Sequence, residues 1–341
     1  MKKPKRLVIG GVDIQPGERK SVNLFVSKLY DYTEIHMPVK VIRGKEPGPT
    51  AFVCAALHGD EINGVEIIKR LLQKDLLKTI RGTLIAVPIV NVYGFNNLSR
   101  YLPDRRDLNR IFPGSNKGSL AARLADLFIK EVVSKCDYGV DLHTGAIHRT
   151  NLPQVRASLK DETTKSLALN FGVPVVMDAE HIEGSLRTYC FQKKIPLIVF
   201  EGGEALRYDE GSIKSGLAGI VSFMRAIGML PALKSKKQTR IKSAIAQGNH
   251  WVRASGGGIL KIKKKLGSPV DKGDLMGIIS DPFGEDKIDV RAVGKGIISG
   301  QTQIPLVNRG DALFHVATFE KTEHVIENIE AFEDQFDINT G

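Results

Sequence analysis

Thr50–Glu61, TAFVCAALHGDE, is a short apolar run that stops abruptly at His58-Gly59-Asp60-Glu61. Apolar side chains packed so densely over so few positions read as a strand buried on both faces. Past the stop, Ile62, Val65, Ile67, Ile68, Leu71 and Leu72 recur at helical spacing. The order is therefore strand, loop, helix, with the polar cluster at the carboxyl end of the strand.

The same pattern repeats outward. Thr83 to Val90 (TLIAVPIV) predicts a strand leading into a long polar loop from Asn96 to Gly114, and Leu120 to Val133 predicts a helix. Asp137 to Leu142 (DYGVDL) is a strand ending at His143-Thr144-Gly145. Two more strands follow at Pro174 to Met177 and Pro196 to Phe200 (PLIVF), the second ending at Glu201-Gly202-Gly203, and Ser212 to Met229 predicts a long amphipathic helix. Strands alternating with helices imply an α/β fold whose mixed, largely parallel sheet is flanked by helices. Sites in such sheets gather at the carboxyl ends of strands, where all three polar clusters fall.

After Pro231 the character changes. Lys234 to Lys242 reads as a linker. Short strands punctuated by glycines then describe an all-β module to about Thr318. Val325, Ile326, Ile329, Phe332 and Phe336 predict a terminal helix. The expected division is one domain over 1–235 and a β-rich C-terminal domain with its terminal helix over 243–341.

Composition narrows the function classes. The 341 residues are 42% hydrophobic, enough to bury a core. No apolar run is long enough to span a bilayer, and Leu7 to Gly11 is too short to serve as a signal-peptide core. Cys54, Cys136 and Cys190 fit no disulfide framework or thiolate metal spacing, so buried thiols in a reducing cytoplasm are expected. The net charge of +11 invites a nucleic-acid reading. Gly211 to Val270 contains no Asp or Glu but many lysines, while the tail from about Glu320 is acidic. Yet Trp251 is the only tryptophan and no aromatic residues interleave the lysines as a base-stacking platform requires. A solvated basic face is the reading, attraction of anionic substrates is the alternative, and neither nucleic acid nor membrane is expected as partner.

The chemistry sits in the polar clusters. Catalytic zinc commonly takes three protein ligands and leaves one position for water, and two histidines with one glutamate is such a set. His58 and Glu61, three apart on the turn opening a helix, bring both side chains to one point, and His143 ends another strand of the same sheet. Asp141 is placed to orient His143. Amide hydrolysis also needs a group to take the water's proton and return one to the leaving amine. Glu201, following Ile198-Val199-Phe200 and flanked by two glycines, fits that role. The segment from Arg100 to Arg110 (RYLPDRRDLNR) is rich in guanidinium groups suited to a carboxylate or an oxyanion.

HGDE, DLNRIFPG, DLHTG and the FEGG glutamate, in this order, resemble the succinylglutamate desuccinylase/aspartoacylase family of zinc carboxypeptidase-like hydrolases. The resemblance covers roughly Thr50 to Leu230. It implies one zinc ion per chain on His58, Glu61 and His143, with Glu201 as general base and then acid. It also implies Asn109 and Arg110 as holders of a substrate carboxylate, Arg187 as a substrate-binding arginine, and an oxyanion arginine upstream of DLNR. Arg100 is chosen for that last role, with Arg105 and Arg106 open. The β module resembles a biotinyl/lipoyl-like hammerhead (barrel-sandwich) fold, but Lys287 is displaced from the turn Asp281-Pro282-Phe283-Gly284 where a carrier lysine would sit. Shielding of the site or assembly into a homo-oligomer is the expected role.

The expected function is deacylation of a small, anionic N-acyl amino acid. A carboxypeptidase releasing C-terminal residues from short peptides would use the same chemistry. A non-catalytic binding module or acyl carrier is the reading from another class, and the presence of Glu201 speaks against it.

Overall fold

The computed structural model describes residues 6–179, 181–232 and 241–336. The proposed linker falls mostly outside the described residues. A single 13-stranded mixed sheet forms the backbone of the molecule. Its centre is parallel: Thr83–Val87, Thr50–Ala55, Tyr138–Gly145 and Leu197–Glu204 lie side by side in that order. These strands are buried on both faces, which explains their continuous apolar runs.

The flanks are antiparallel. On one side come Glu34–Arg43 and then Arg19–Lys28. This edge strand alternates buried and exposed residues over its middle, as expected with one face on the core. On the other side Arg149–Ala157 runs antiparallel to Leu197–Glu204.

Arg149–Ala157 then forks. Its second half, Gln154 to Ala157, pairs in parallel with Val175–Asp178. Its first half, Arg149 to Asn151, pairs antiparallel with Gly296–Thr302 of the C-terminal region. From there the sheet continues through Ala312–Thr318 to Gly248–Arg253. The glycine-rich C-terminal strands are thus partly a continuation of the main sheet, and only Lys287–Arg291, Leu275–Ser280, Gly258–Ile262 and Leu306–Val307 form a separate four-stranded sheet. Lys287 begins its strand opposite Ser280 and is not at the hairpin turn.

Helices cover both faces. Leu120–Glu131 and Leu186–Gln192 bury Leu124, Phe128, Leu186 and Cys190 with Phe52. On the opposite face Asn63–Leu72 and Glu210–Ala226 pack Ile67, Ile68, Ile213 and Phe223 against Phe200. The terminal helix Thr322–Phe336 reaches both regions. Val325 and Ile329 pack with Ile297 and Ala317, whereas Phe332 and Phe336 join the cluster of Phe171 and Phe200. Among the described residues no helix is long and apolar enough to cross a membrane.

Helix-on-sheet packing is tight at Gly219, where an added Cβ would lie 2.1 Å from the Phe171 ring. In an open helix Gly→Ala would stabilise by about 1 kcal/mol. Here the clash reverses the sign: Gly219→Ala is expected to destabilise by about 1–3 kcal/mol. Urea unfolding checks it, and a raised midpoint would contradict this account of the packing.

Candidate active site

His58 follows the Thr50–Ala55 strand, and a tight turn closed by the Glu61 amide on the His58 carbonyl at 3.1 Å brings Glu61 back beside it. Gly59 makes that turn possible, because any Cβ there would strike the backbone of Gly94 at 1.9 Å. His143 lies inside the adjacent strand Tyr138–Gly145, one step further than the sequence suggests, and Glu201 lies inside Leu197–Glu204. His143 and Glu201 are direct register partners across the parallel pair. A register shift after Glu201, with Gly203 at φ +76°, ends the regular pairing.

Both histidines turn Nδ1 toward Glu61. His58 Nδ1 lies 2.7 Å from Oε1 and His143 Nδ1 lies 2.7 Å from Oε2. Both turn Nε2 toward another carboxylate: His58 to Asp107 at 3.1 Å, His143 to Asp141 at 2.9 Å. Such outer carboxylates hold a ring with its proton on Nε2 and its lone pair on Nδ1, as a metal ligand requires. The ligand atoms of His58, Glu61 and His143 all lie within 4.8 Å of one another, so this group could hold a metal ion.

The electrostatics fit a cation. Burial alone would push both imidazolium pKa values down, but Glu61 and Asp107 hold His58 up, and Asp141 and Glu61 hold His143 well up. Burial would raise Glu61, yet the two imidazoles bring it below the usual carboxylate range. Asp107 is likewise lowered, by His58 and Arg100 against its own burial. A buried cluster of carboxylates around two rings draws in positive charge, and a divalent ion among these nitrogen and oxygen donors would supply it.

Arg100 completes the cluster. Its Nη1 lies 3.2 Å from His58 Nδ1 and 3.4 Å from Glu61 Oε1, and Nη2 donates to Asp107 at 2.9 Å. Arg106 instead pairs with Asp104 on the surface. Asp107 also accepts from the Asn109 amide, and Asn109 Oδ1 accepts from the Leu186 amide at 2.9 Å. That bond ties the Leu108–Arg110 turn to the helix carrying Arg187. Glu201 accepts from Asn151 Nδ2 at 2.6 Å and faces Arg156 Nε at 3.3 Å.

One cavity of about 760 Å³ is lined by all eight residues singled out from sequence: His58, Glu61, His143, Glu201, Arg100, Asn109, Arg110 and Arg187. Arg105 and Arg106 do not line it. Its other walls include Arg149, Asn151 and Arg156 from the forked strand and Asn249 and Trp251 from Gly248–Arg253. None of these five was assigned a role from sequence. Two residues apart on strands, Arg149/Asn151 and Asn249/Trp251 repeat at a period that marks a shared face, and that was the available signal.

Residues 47–227, more than half of the chain, match the profile of the succinylglutamate desuccinylase/aspartoacylase catalytic domain. The chain belongs to this family. It is 27% identical over 297 residues to N-alpha-acetyl-L-2,4-diaminobutyric acid deacetylase of Halomonas elongata, covering 83% of this chain and 86% of the relative. A succinylglutamate desuccinylase from Silicibacter sp. has the same fold, with a TM-score of 0.80 and 25% identity over 90% of this chain and 96% of that one. The product-bound ectoine utilization protein of Ruegeria pomeroyi also superposes with a TM-score of 0.80, at 24% identity over 89% and 96% of the two chains. The family fold therefore extends across both the matched catalytic region and the C-terminal strands.

Behind the Trp251 wall, burial lowers the His315 pKa to about 3, reinforced by Arg156 and His250. The folded protein then keeps this ring neutral where an unfolded chain, at the ordinary value of 6.5, binds a proton. The stability tied to that neutrality is complete above about pH 6.5 and is lost as pH falls toward 3. His315→Gln is expected to flatten the fall in stability over this window by up to about 1.4 kcal/mol per pH unit. Urea unfolding at several pH values measures it, and identical slopes in the two proteins would refute it.

Proposed function

We propose that the chain is a zinc-dependent deacylase that hydrolyses the amide bond of a small N-acyl amino acid. The observation that carries this reading is the convergence of both Nδ1 atoms on Glu61, with each Nε2 committed to an outer carboxylate. The family membership and the deacetylase relative support it, as that relative acts by name on an N-acetylated diamino acid.

In this reading His58, Glu61 and His143 hold one zinc ion per chain. Bound there, zinc acidifies water and polarises an amide carbonyl. Glu201 takes the proton of the attacking water and delivers it to the departing amine. Asn151 and Arg156 hold its two oxygens in place for both steps. Arg100, beside His58 and Glu61, faces the charge that develops on the carbonyl oxygen. Asn109, Arg110 and Arg187 bind the substrate carboxylate, and the tie from Asn109 to Leu186 sets their relative positions. Asn249 and Trp251 help wall the cavity, which favours small substrates over the peptide chains a carboxypeptidase accepts. Three free, buried cysteines support a cytoplasmic setting.

The test is amine release by the zinc-loaded protein from a panel of N-acetyl, N-succinyl and N-formyl amino acids, with free dipeptides alongside. Release only from dipeptides would move the protein to the peptidases. Glu201→Gln is expected to keep zinc and lose about 10²–10⁴-fold in kcat, while His143→Ala loses both zinc and turnover. Asp141→Asn is expected to weaken zinc binding by about 10–100-fold in competition with a chelator. A Glu201→Gln enzyme of near-normal rate would refute the acid/base assignment.

A further inference from the structure

In the proposed chemistry Glu201 has to stand at a set distance from His58, Glu61 and His143. Yet its strand loses regular register with the parallel neighbour Tyr138–Gly145 just after Glu201 and regains it only at Glu204. Gly203, at φ +76°, turns the backbone over that interval. A buried carbonyl at such an irregularity needs a donor from elsewhere. Asn63 provides one, its Nδ2 donating to the Gly202 carbonyl at 3.1 Å. Asn63 is fully buried, and its Oδ1 accepts from the Asp209 amide at 3.1 Å. With a carbonyl before one end of the side-chain amide and an N–H before the other, a single orientation satisfies both. Space is equally restrictive, since a Cβ on Gly203 would lie 2.5 Å from Asn63 Nδ2.

Asn63 is also the first residue of the helix Asn63–Leu72, shortly after Glu61 in the chain. That helix start is pressed onto the sheet: a Cβ on Gly64 would come 2.7 Å from the Cβ atoms of Ala55 and Leu142. A backbone bond joins the same two segments, the Leu206 amide donating to the Asp60 carbonyl at 2.8 Å. Asp209 in turn caps the helix Glu210–Ala226 by accepting from the Ser212 amide at 2.6 Å. Arg70 ties the two helices through bonds of 2.7 and 2.9 Å to Glu210. Glu61 and Glu201 are therefore linked twice. One route crosses from Glu61 to His143 and then by register to Glu201, and the other runs through Asn63 to Gly202.

We infer that Asn63 is a positioning residue for Glu201: its amide sets where the acid/base group stands relative to the three metal ligands. The inference rests on the proposed deacylase reading for what Glu201 does. Misplacing a reacting group by about 1 Å can cost about 10²-fold in rate. A buried side-chain bond one residue from Glu201 therefore has leverage on turnover, though Asn63 does not line the cavity.

Zinc-loaded, full-length wild type and Asn63→Ala are compared by backbone hydrogen exchange and by kinetics on the N-acyl amino acid that the wild type turns over best. Exchange is expected to quicken over residues 201–209 and to stay unchanged over 138–145. The kcat is expected to fall about 10–100-fold, with KM and zinc affinity within about three-fold of wild type. Repeating the substitution in Glu201→Gln separates positioning from general loosening. There the added loss should shrink to under about three-fold, because the group being positioned is gone. An equal loss in both backgrounds overturns the inference, as does unchanged exchange over 201–209. Loss of zinc together with turnover also overturns it, because the effect would then lie on the ligands. Asn63→Asp keeps the shape and the bond from Asp209 but sets an oxygen against the Gly202 carbonyl. It should reproduce the loss in kcat, and it decides the matter if Asn63→Ala fails to fold. If the wild type releases no amine from any N-acyl amino acid, the deacylase reading falls alone. Quickened exchange then still upholds the tie, and unchanged exchange still removes it.

Discussion

The structure turns on one buried carboxylate. Glu61 receives an imidazole on each oxygen, and the Thr144 amide donates to one of them as well. A carboxylate this deep is costly unless positive charge or several donors meet it. Every neighbouring choice answers that demand: Gly59 lets the turn close, His143 sits within a strand adjacent to the one that leads to His58, and Asp107 and Asp141 steady the rings from outside. Remove any one and the others become unpaired charges or misdirected rings at a buried site.

Around that point the sheet supplies precision. Parallel register puts Glu201 directly beside His143, and Cys54 beside Asp141, whose second oxygen the Cys54 thiol approaches at 3.3 Å. The helices contribute almost none of the proposed catalytic groups. Their work is to clamp both faces of the central strands, so that side chains projecting from the strand ends stay where register places them.

Much of this was legible in the sequence. Runs such as TAFVCAAL and PLIVF are buried on both faces and announce their strands, and the polar stops after them mark the cavity rim. The three arginines between Arg100 and Arg106 look alike in sequence. Only the fold of the loop distinguishes Arg100 beside His58 from Arg106 on the surface. The Arg149–Ala157 strand escaped reading for a physical reason. RTNLPQVRA has to line a polar cavity with Asn151 and Arg156 while burying Leu152 and Val155, so neither a continuous apolar run nor a strict alternation survives. The expected boundary near residue 240 separates two styles of sequence, yet the strands on either side of it share one sheet.

That shared strand separates two events in the life of the chain. The three proposed metal ligands all lie within the first 143 residues, and the central parallel strands are complete by Glu204. The Trp251 wall exists only after Gly296–Thr302 and Ala312–Thr318 have been made and have paired onto Arg149–Ala157. A chain emerging from the ribosome therefore carries its three proposed metal donors well before it has a closed cavity for them to serve. The forked strand is already paired along one edge with Leu197–Glu204, and its other edge is where the last hundred residues join the sheet.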